Sequence, residues 1–488
     1  MAMATTMRHH RVLSAFAPIA HTRARSSREV IAGAIAAAGA ALLGGSVHAS
    51  SVAHASEGDG LELKHVIVFF RHGARAPLTE NARAHDHTWS YCNEAKPFDP
   101  VSIAVTGLGG KPRPVCKMDV NQRKVLFPGG CHKGQLTSVG WMQARNLGSW
   151  LRERYVQRGP YSLVPGTFDA DLVRVRTTNI ARTIDTANGV LSGLFPGTPA
   201  SSPIPIETAS DDVEWLYPNP GTCPRLMSLV KDFKRWHQAA SEEGQGEGTR
   251  GETRAKVRRA IEGPDAAVDP EAEPWGFAHM FDVSHSVLVH SGKHHFGMDD
   301  AILRELEGVA IEYMRGVVGG WEGNPHTKEQ LALCSSRVVE DVLSGLSGAA
   351  NGKHGRKMQL YSGHDTTLIP LLLMLGDALE RWPPFASNLV IELYWCERLS
   401  SHVVKLIFNQ RLLEVKPLTP ALFVEATEGP EGVHVEGGAY YDLEDFAALL
   451  RTYTVADMAA RCAHPQEEGG KAAKGGKAGV TKGAGIGV

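Results

Sequence analysis

The sequence predicts an α/β protein, a largely parallel sheet with helices packed against it, on three observations. The run His65-Val66-Ile67-Val68-Phe69-Phe70 is apolar and aromatic almost throughout, as in a strand buried on both faces of a sheet. Helical spacing follows from Leu136 to Tyr155, then a short strand over Leu172 to Val175 and a helix over Ile180 to Leu194; this alternation favours parallel pairing. Polar clusters stand directly after the predicted strands, at the edge where open α/β sheets bind ligands.

Each segment has a local reason. Residues 1–55 hold five Arg and a single acid, Glu29, among many Ser and Ala, the composition of an organelle targeting segment, and they are set outside the fold. Their apolar run, Val30 to Leu43, is shorter than the ~20 residues that cross a bilayer, so no transmembrane span is expected in the mature chain. Val47-His48-Ala49 and Ala53-His54-Ala55 both match a small-residue cleavage pattern. Thr137 or Ser138 caps the first helix, and Pro196-Gly197 stops the second. Residues 85–131, with Cys92, Cys116 and Cys131, match no element. Residues 240–273 are Glu- and Gly-rich without an aromatic and read as a flexible insertion. Gly246 to Gly251 formally spells GxGxxG, but no strand precedes it and acidic neighbours repel a pyrophosphate, so it is set aside. Helical spacing resumes from Met298 to Val317. A strand over Met358 to Ser362 runs into the turn Gly363-His364-Asp365, followed by an apolar helix from Leu368 to Leu375, strands over Leu389 to Trp395 and Val403 to Phe408, and a helix from Leu443 to Tyr453. Residues 465–488, dominated by Gly, Ala and Lys, are expected to be a disordered tail.

Composition narrows the function. Lys and Arg number 51 against 53 Asp and Glu, a net charge of −2 that offers no basic footprint to a nucleic acid. Seven Cys form no CxxC pair, which removes zinc ribbons and thioredoxin-like motifs, and their odd number leaves at least one free thiol. His85, His87, His285, His290, His294 and His295 lack the spacing of a metal site and read as surface histidines; no metal or cofactor is expected.

The chemistry is carried by three clusters: Arg71-His72-Gly73-Ala74-Arg75-Ala76-Pro77, then Arg176-Thr177-Thr178-Asn179-Ile180-Ala181-Arg182, then His364-Asp365. Several Arg forks converging on one point suit a phosphoryl group, whose spreading charge they neutralise. His72 can attack phosphorus through a neutral ring nitrogen, and Asp365 can protonate the departing alkoxide. Asp365 as a simple N-cap of the Leu368 helix is the competing reading. Arg182, one turn into its helix, fits a bound anion, whereas Arg176 is as well explained by a surface ion pair and stays outside the candidate site. Gly73 is read as allowing close backbone approach to the phosphate.

Arg71-His72-Gly73-x-Arg75-x-Pro77 with a later His364-Asp365 resembles the signature of the histidine acid phosphatases, the RHGxRxP branch of the histidine phosphatase superfamily. The resemblance extends through Trp215 to Asn219 with Cys223, Trp382-Pro-Pro-Phe-Ala386, Glu392-Leu-Tyr394 and Leu443 to Cys462, and more narrowly it is to a mitochondrial branch acting on lysophosphatidic acid. It implies a phosphoglycerate mutase-like core over 61–210 and 330–462, with a mostly helical cap inserted at 211–329. It also implies metal-free hydrolysis of a phosphate monoester, a lysophospholipid included, with His72 as nucleophile, Asp365 as proton donor, and Arg71, Arg75, Arg182 and His364 on the phosphate. The implied location is the mitochondrion, although the leader would also serve a plastid or an exported compartment. An inositol-phosphate or small-metabolite phosphatase and a phosphate-binding protein without turnover are the alternatives; the acids of 240–273 disfavour a polyanionic substrate.

Overall fold

The computed structural model describes residues 53–55 and 60–463, apart from 81–82, 94–95, 157–160, 243–246, 264–275, 322, 354, 425–426, 429–433 and 436. The expected tail and residues 1–52 of the expected leader lie outside them. The strands are β1 (Ala53–Ala55), β2 (Leu61–Arg71), β3 (Ile103–Gly107), β4 (Val173–Thr177), β5 (Ile204–Thr208), β6 (Met358–Gly363), β7 (Asn388–Cys396), β8 (Ser401–Phe408), β9 (Arg411–Leu412), β10 (Leu422–Val424), β11 (Thr427–Glu428), β12 (His434–Val435) and β13 (Gly438–Asp442). The helices are α1 (Lys117–Gln122), α2 (Ser138–Tyr155), α3 (Ala181–Leu194), α4 (Pro224–Glu242), α5 (Glu247–Glu262), α6 (Phe277–Ser291), α7 (Asp300–Val317), α8 (Thr327–Ala350), α9 (Asp365–Met374), α10 (Leu443–Arg451) and α11 (Met458–Ala463).

One sheet runs β1-β10-β13-β8-β7-β2-β6-β4-β5-β3, with β9 on β8. Strands β2, β6, β4, β5 and β3 are mutually parallel, and β7 joins β2 antiparallel. The unbroken apolar run of β2 now has its reason. Ile67 and Phe69 enter one core with α8, α9 and α10, while Val66, Val68 and Phe70 enter another with α2 and α3, so neither face of that run sees water. A third core joins α5, α6 and α7 to Trp89 and Phe127, giving the unplaced 85–131 segment its anchor.

Several expectations change. Within the stretch read as a flexible insertion, residues 247–262 form α5, and its Val257 and Ile261 are buried, each worth roughly 1.5–3 kcal/mol. Ala53–Ala55, assigned to the leader, pairs with β10. His295 is buried, and His285 and His290 of α6 are half-buried rather than on the surface. The helix expected from Leu368 begins at Asp365, with His364 as its N-cap residue. Thr137 is the N-cap of α2, accepting from the Gly140 amide at 3.2 Å. Disulfides join Cys92 to Cys131 and Cys223 to Cys462, and Cys116, Cys334 and Cys396 are buried thiols outside any disulfide.

Candidate active site

Strand register assembles the site. Arg71 pairs with Gly363 and Thr177 with Ser362, so the ends of β2, β6 and β4 lie flush, and the turns that follow them share one edge of the sheet. The His72 amide donates to the Gly363 carbonyl at 3.0 Å, and the Ala386 amide to the His72 carbonyl at 3.0 Å, fixing the His72 backbone from both sides. Ala386 is held in the left-handed region (φ 57), a strained conformation for a residue with a Cβ.

His72 is 1% exposed. Its Nδ1 lies 3.0 Å from the Gly73 carbonyl, which can only accept; Nδ1 therefore carries the proton and Nε2 keeps its lone pair. Burial holds the imidazole well below its usual range, and Arg182, Arg75, Arg71 and His364 push it further the same way. His364 is fully buried 5.5 Å away between ring centroids, with Nε2 3.0 Å from Thr178 Oγ1. It is depressed likewise, by burial and then by Arg182, Arg75 and Arg71. Both rings are thus neutral near pH 7, as an attacking nitrogen must be.

Around these rings stand three buried cations. Arg71 donates from Nη1 to the Pro383 carbonyl (2.6 Å), lies 2.9 Å by Nη2 from Asp365 Oδ2, and stacks 4.4 Å from the Phe385 ring. Arg75 lies 2.8 Å from Asp282 Oδ1, and Arg182 donates to Gln122 Oε1 at 3.2 Å. Burial and mutual repulsion lower Arg71 to about 10 and Arg182 to about 9 despite the nearby carboxylates. Three guanidinium groups crowding at this depth mark a place where an anion is stabilised. Asp365 also accepts from Trp382 Nε1 at 2.9 Å and, through Oδ1, from the Thr366 amide at 2.8 Å.

All six sequence-predicted residues, His72, Asp365, Arg71, Arg75, Arg182 and His364, therefore lie at this one edge. Arg176 turns away, giving two bonds from Nη2 to Glu214, at 2.7 and 2.9 Å; the ion pair is fully buried, not superficial. A Cβ on Gly73 would sit 2.4 Å from the Gly140 carbonyl oxygen of α2, so the glycine answers to helix packing rather than to the expected phosphate approach. Sequence reasoning missed Asp282 on α6, Gln122 on α1, Asp119, which caps α3 at the Ala181 amide (2.9 Å), and the roles of Trp382 and Phe385. The Trp382-Pro-Pro-Phe-Ala386 motif was a signal for the last two; the others carry none.

Residues 62–243 and 311–409 match branch 2 of the histidine phosphatase superfamily, and the chain belongs to that family. Among its relatives, lysophosphatidic acid phosphatase type 6 of Mus musculus is 32% identical over 352 residues, 72% of this chain and 79% of that protein. Its Homo sapiens counterpart is 32% identical over 339 residues, 68% and 74% of the two chains. Prostatic acid phosphatase of Rattus norvegicus is 26% identical over 427 residues, 83% of this chain and 90% of that one. The solved Klebsiella sp ASR1 phytase shares the fold, with a TM-score of 0.52 at 15% identity over 83% of this chain and 100% of its own. The chain is a phosphatase of the acid phosphatase type, a phosphomonoesterase. No described helix is long and apolar enough to cross a membrane.

Proposed function

We propose that the chain hydrolyses lysophosphatidic acid or a similar lipid phosphate through a phosphohistidine at His72. The observation that carries the mechanism is a ring with its Nε2 lone pair free, set among Arg71, Arg75 and Arg182, with Asp365 held on the same Arg71. The Nε2 lone pair forms the N–P bond as the P–O ester bond breaks, and the leaving oxygen takes its electron pair together with a proton from Asp365. Water then attacks phosphorus, returns its proton to Asp365 and breaks the P–N bond, freeing phosphate. The three Arg and His364 hold the phosphoryl oxygens throughout.

A lipid leaving group is supported by the relatives named above and by the wall beside Asp365. There Phe281, His285 and Phe385 pack in series with centroids 5.2 and 5.3 Å apart, and Trp382 lies 5.4 Å from Phe281. On this reading the aromatic series favours an acyl glycerol over a ring of phosphates. Delivery to the mitochondrion, with plastid or export as alternatives, is proposed from the Arg-rich leader, and the two disulfides fit a compartment outside the reducing cytosol.

The test is steady-state hydrolysis by the full chain in EDTA at mildly acidic pH, comparing lysophosphatidic acid, phytate and nitrophenyl phosphate, with His72→Ala alongside. Turnover that survives EDTA, disappears in the variant and ranks the lipid first is the expected result. Activity retained by His72→Ala, or a preference for phytate, refutes the mechanism or the substrate respectively.

A further inference from the structure

The hydrogen bonds at Asp365 are unequal. Oδ2 accepts from Trp382 Nε1 at 2.9 Å and lies 2.9 Å from Arg71 Nη2, whereas among the described residues Oδ1 accepts from the Thr366 amide alone, at 2.8 Å. A carboxylate oxygen offers about two lone-pair sites; Oδ2 has the indole N–H and the guanidinium charge both against it, and Oδ1 is the oxygen left with a site open. An indole N–H and a guanidinium only donate, and neither can turn to receive a proton placed on Oδ2.

Trp382 is in turn anchored by the cap. Glu307 of α7, 6% exposed, accepts from the Trp382 backbone amide through Oε1 and from Arg381 Nε through Oε2, both at 2.9 Å. Phe281 of α6 packs against the indole, with centroids 5.4 Å apart. The chain of contacts from α7 to the carboxylate is continuous: Glu307, the Trp382 backbone, the Trp382 indole, Asp365. Arg71 of β2 and Arg182 of α3 both interact electrostatically with Asp365.

We infer that Trp382 is a positioning residue for the proton donor. It reserves Oδ1 as the oxygen that carries the transferable proton, and Glu307 ties that arrangement to the cap helix α7. The inference rests on Asp365 acting as the donor.

The experiment uses the full chain with Trp382→Phe, Glu307→Ala, Glu307→Gln and Asp365→Asn, each assayed on glycerol phosphate, a poor leaving group, and on nitrophenyl phosphate, a good one. Trp382→Phe keeps the ring and loses only the donor. The expected result is a fall of roughly tenfold or more in kcat on glycerol phosphate, out of the ~10²–10⁴ that general acid catalysis supplies, with little change on the nitrophenyl ester. The alkaline limb of kcat/KM moves to higher pH, because removing a hydrogen-bond donor from a carboxylate disfavours its ionised form. Glu307→Ala shows the same pattern in weaker form and carries the test should the Phe variant not fold; Glu307→Gln, which still accepts from the Trp382 amide, restores it. Equal losses on both esters with an unmoved limb, or no loss at all, overturn the inference while Asp365→Asn still discriminates between esters. If Asp365→Asn itself fails to discriminate, the donor reading falls and this inference falls with it.

Discussion

Replacing Gly73 by Ala separates two reasons for a glycine beside the nucleophile. An ideal Cβ there stands 2.4 Å from the Gly140 carbonyl oxygen and 2.8 Å from its C and Cα atoms, where ordinary contact starts at 3.4 Å. About 1 Å must be surrendered, and both parties are backbone: the loop carrying His72 and the first turn of α2. Overpacking of this kind costs ~1–3 kcal/mol, which spread over roughly 370 described residues at ~2 cal/mol/K each lowers Tm by only about 1–4 °C. A displacement near 1 Å at the attacking nitrogen, however, costs up to ~100-fold in turnover. The assay is kcat on nitrophenyl phosphate beside a melting curve, with Gly140→Ala as the mirror variant, since its Cβ would meet the Ala74 carbonyl oxygen at 2.1 Å. If packing against α2 is what requires the glycine, both variants lose turnover far out of proportion to stability. Kinetics within threefold of wild type in both would refute it, and a defect in Gly73→Ala alone would restore the phosphate-approach explanation.

Two other outcomes are expected. Glu214→Ala strands the buried Arg176 cation and two backbone amides, Trp215 and Leu216, that Glu214 also accepts from; a loss of ~3–5 kcal/mol is expected in urea titration, and an unchanged midpoint would contradict it. Acid should destabilise the fold: burial keeps His72 and His364 well below 6.5 and lowers His285, His290 and His295 to about 4, so below pH 6.5 the unfolded chain binds protons that the folded chain refuses. Their contribution is complete above pH 6.5 and is lost as pH falls from there through the folded values; Asp185, pushed up to about 6 by burial, acts in the opposite sense and offsets part of it. A Tm that stays level from pH 7 to 5 would show the sign to be wrong.

The core of the site was legible because β2 and β6 each run apolar to a polar stop, and both polar stops fall at the same sheet edge. Local pattern sufficed for His72, His364 and Asp365. It could not reach Asp282, whose pairing with Arg75 spans about two hundred residues, nor Glu214 and Glu307, which look like ordinary helix or loop acids until the fold closes over them. Strand β5 was missed because Pro205 and Glu207 interrupt its apolar residues, and α5 because only a narrow face, with Val257 and Ile261, meets the core. The 85–131 segment was unreadable for another reason: its order comes from a disulfide, from the pairing of β3 with β5 and from contacts to α3 and the α5–α7 core, not from its own periodicity.

The Cys223–Cys462 bridge spans 239 positions of sequence, from the start of α4 to α11, and so encloses most of the cap together with the turn bearing His364 and Asp365. One peptide bond cut anywhere inside that ring cannot release either fragment. A nicked molecule would still migrate as one species without reductant and as two with it, and its nucleophile and proton donor, now on different polypeptides when the cut precedes His364, would stay members of one covalent body.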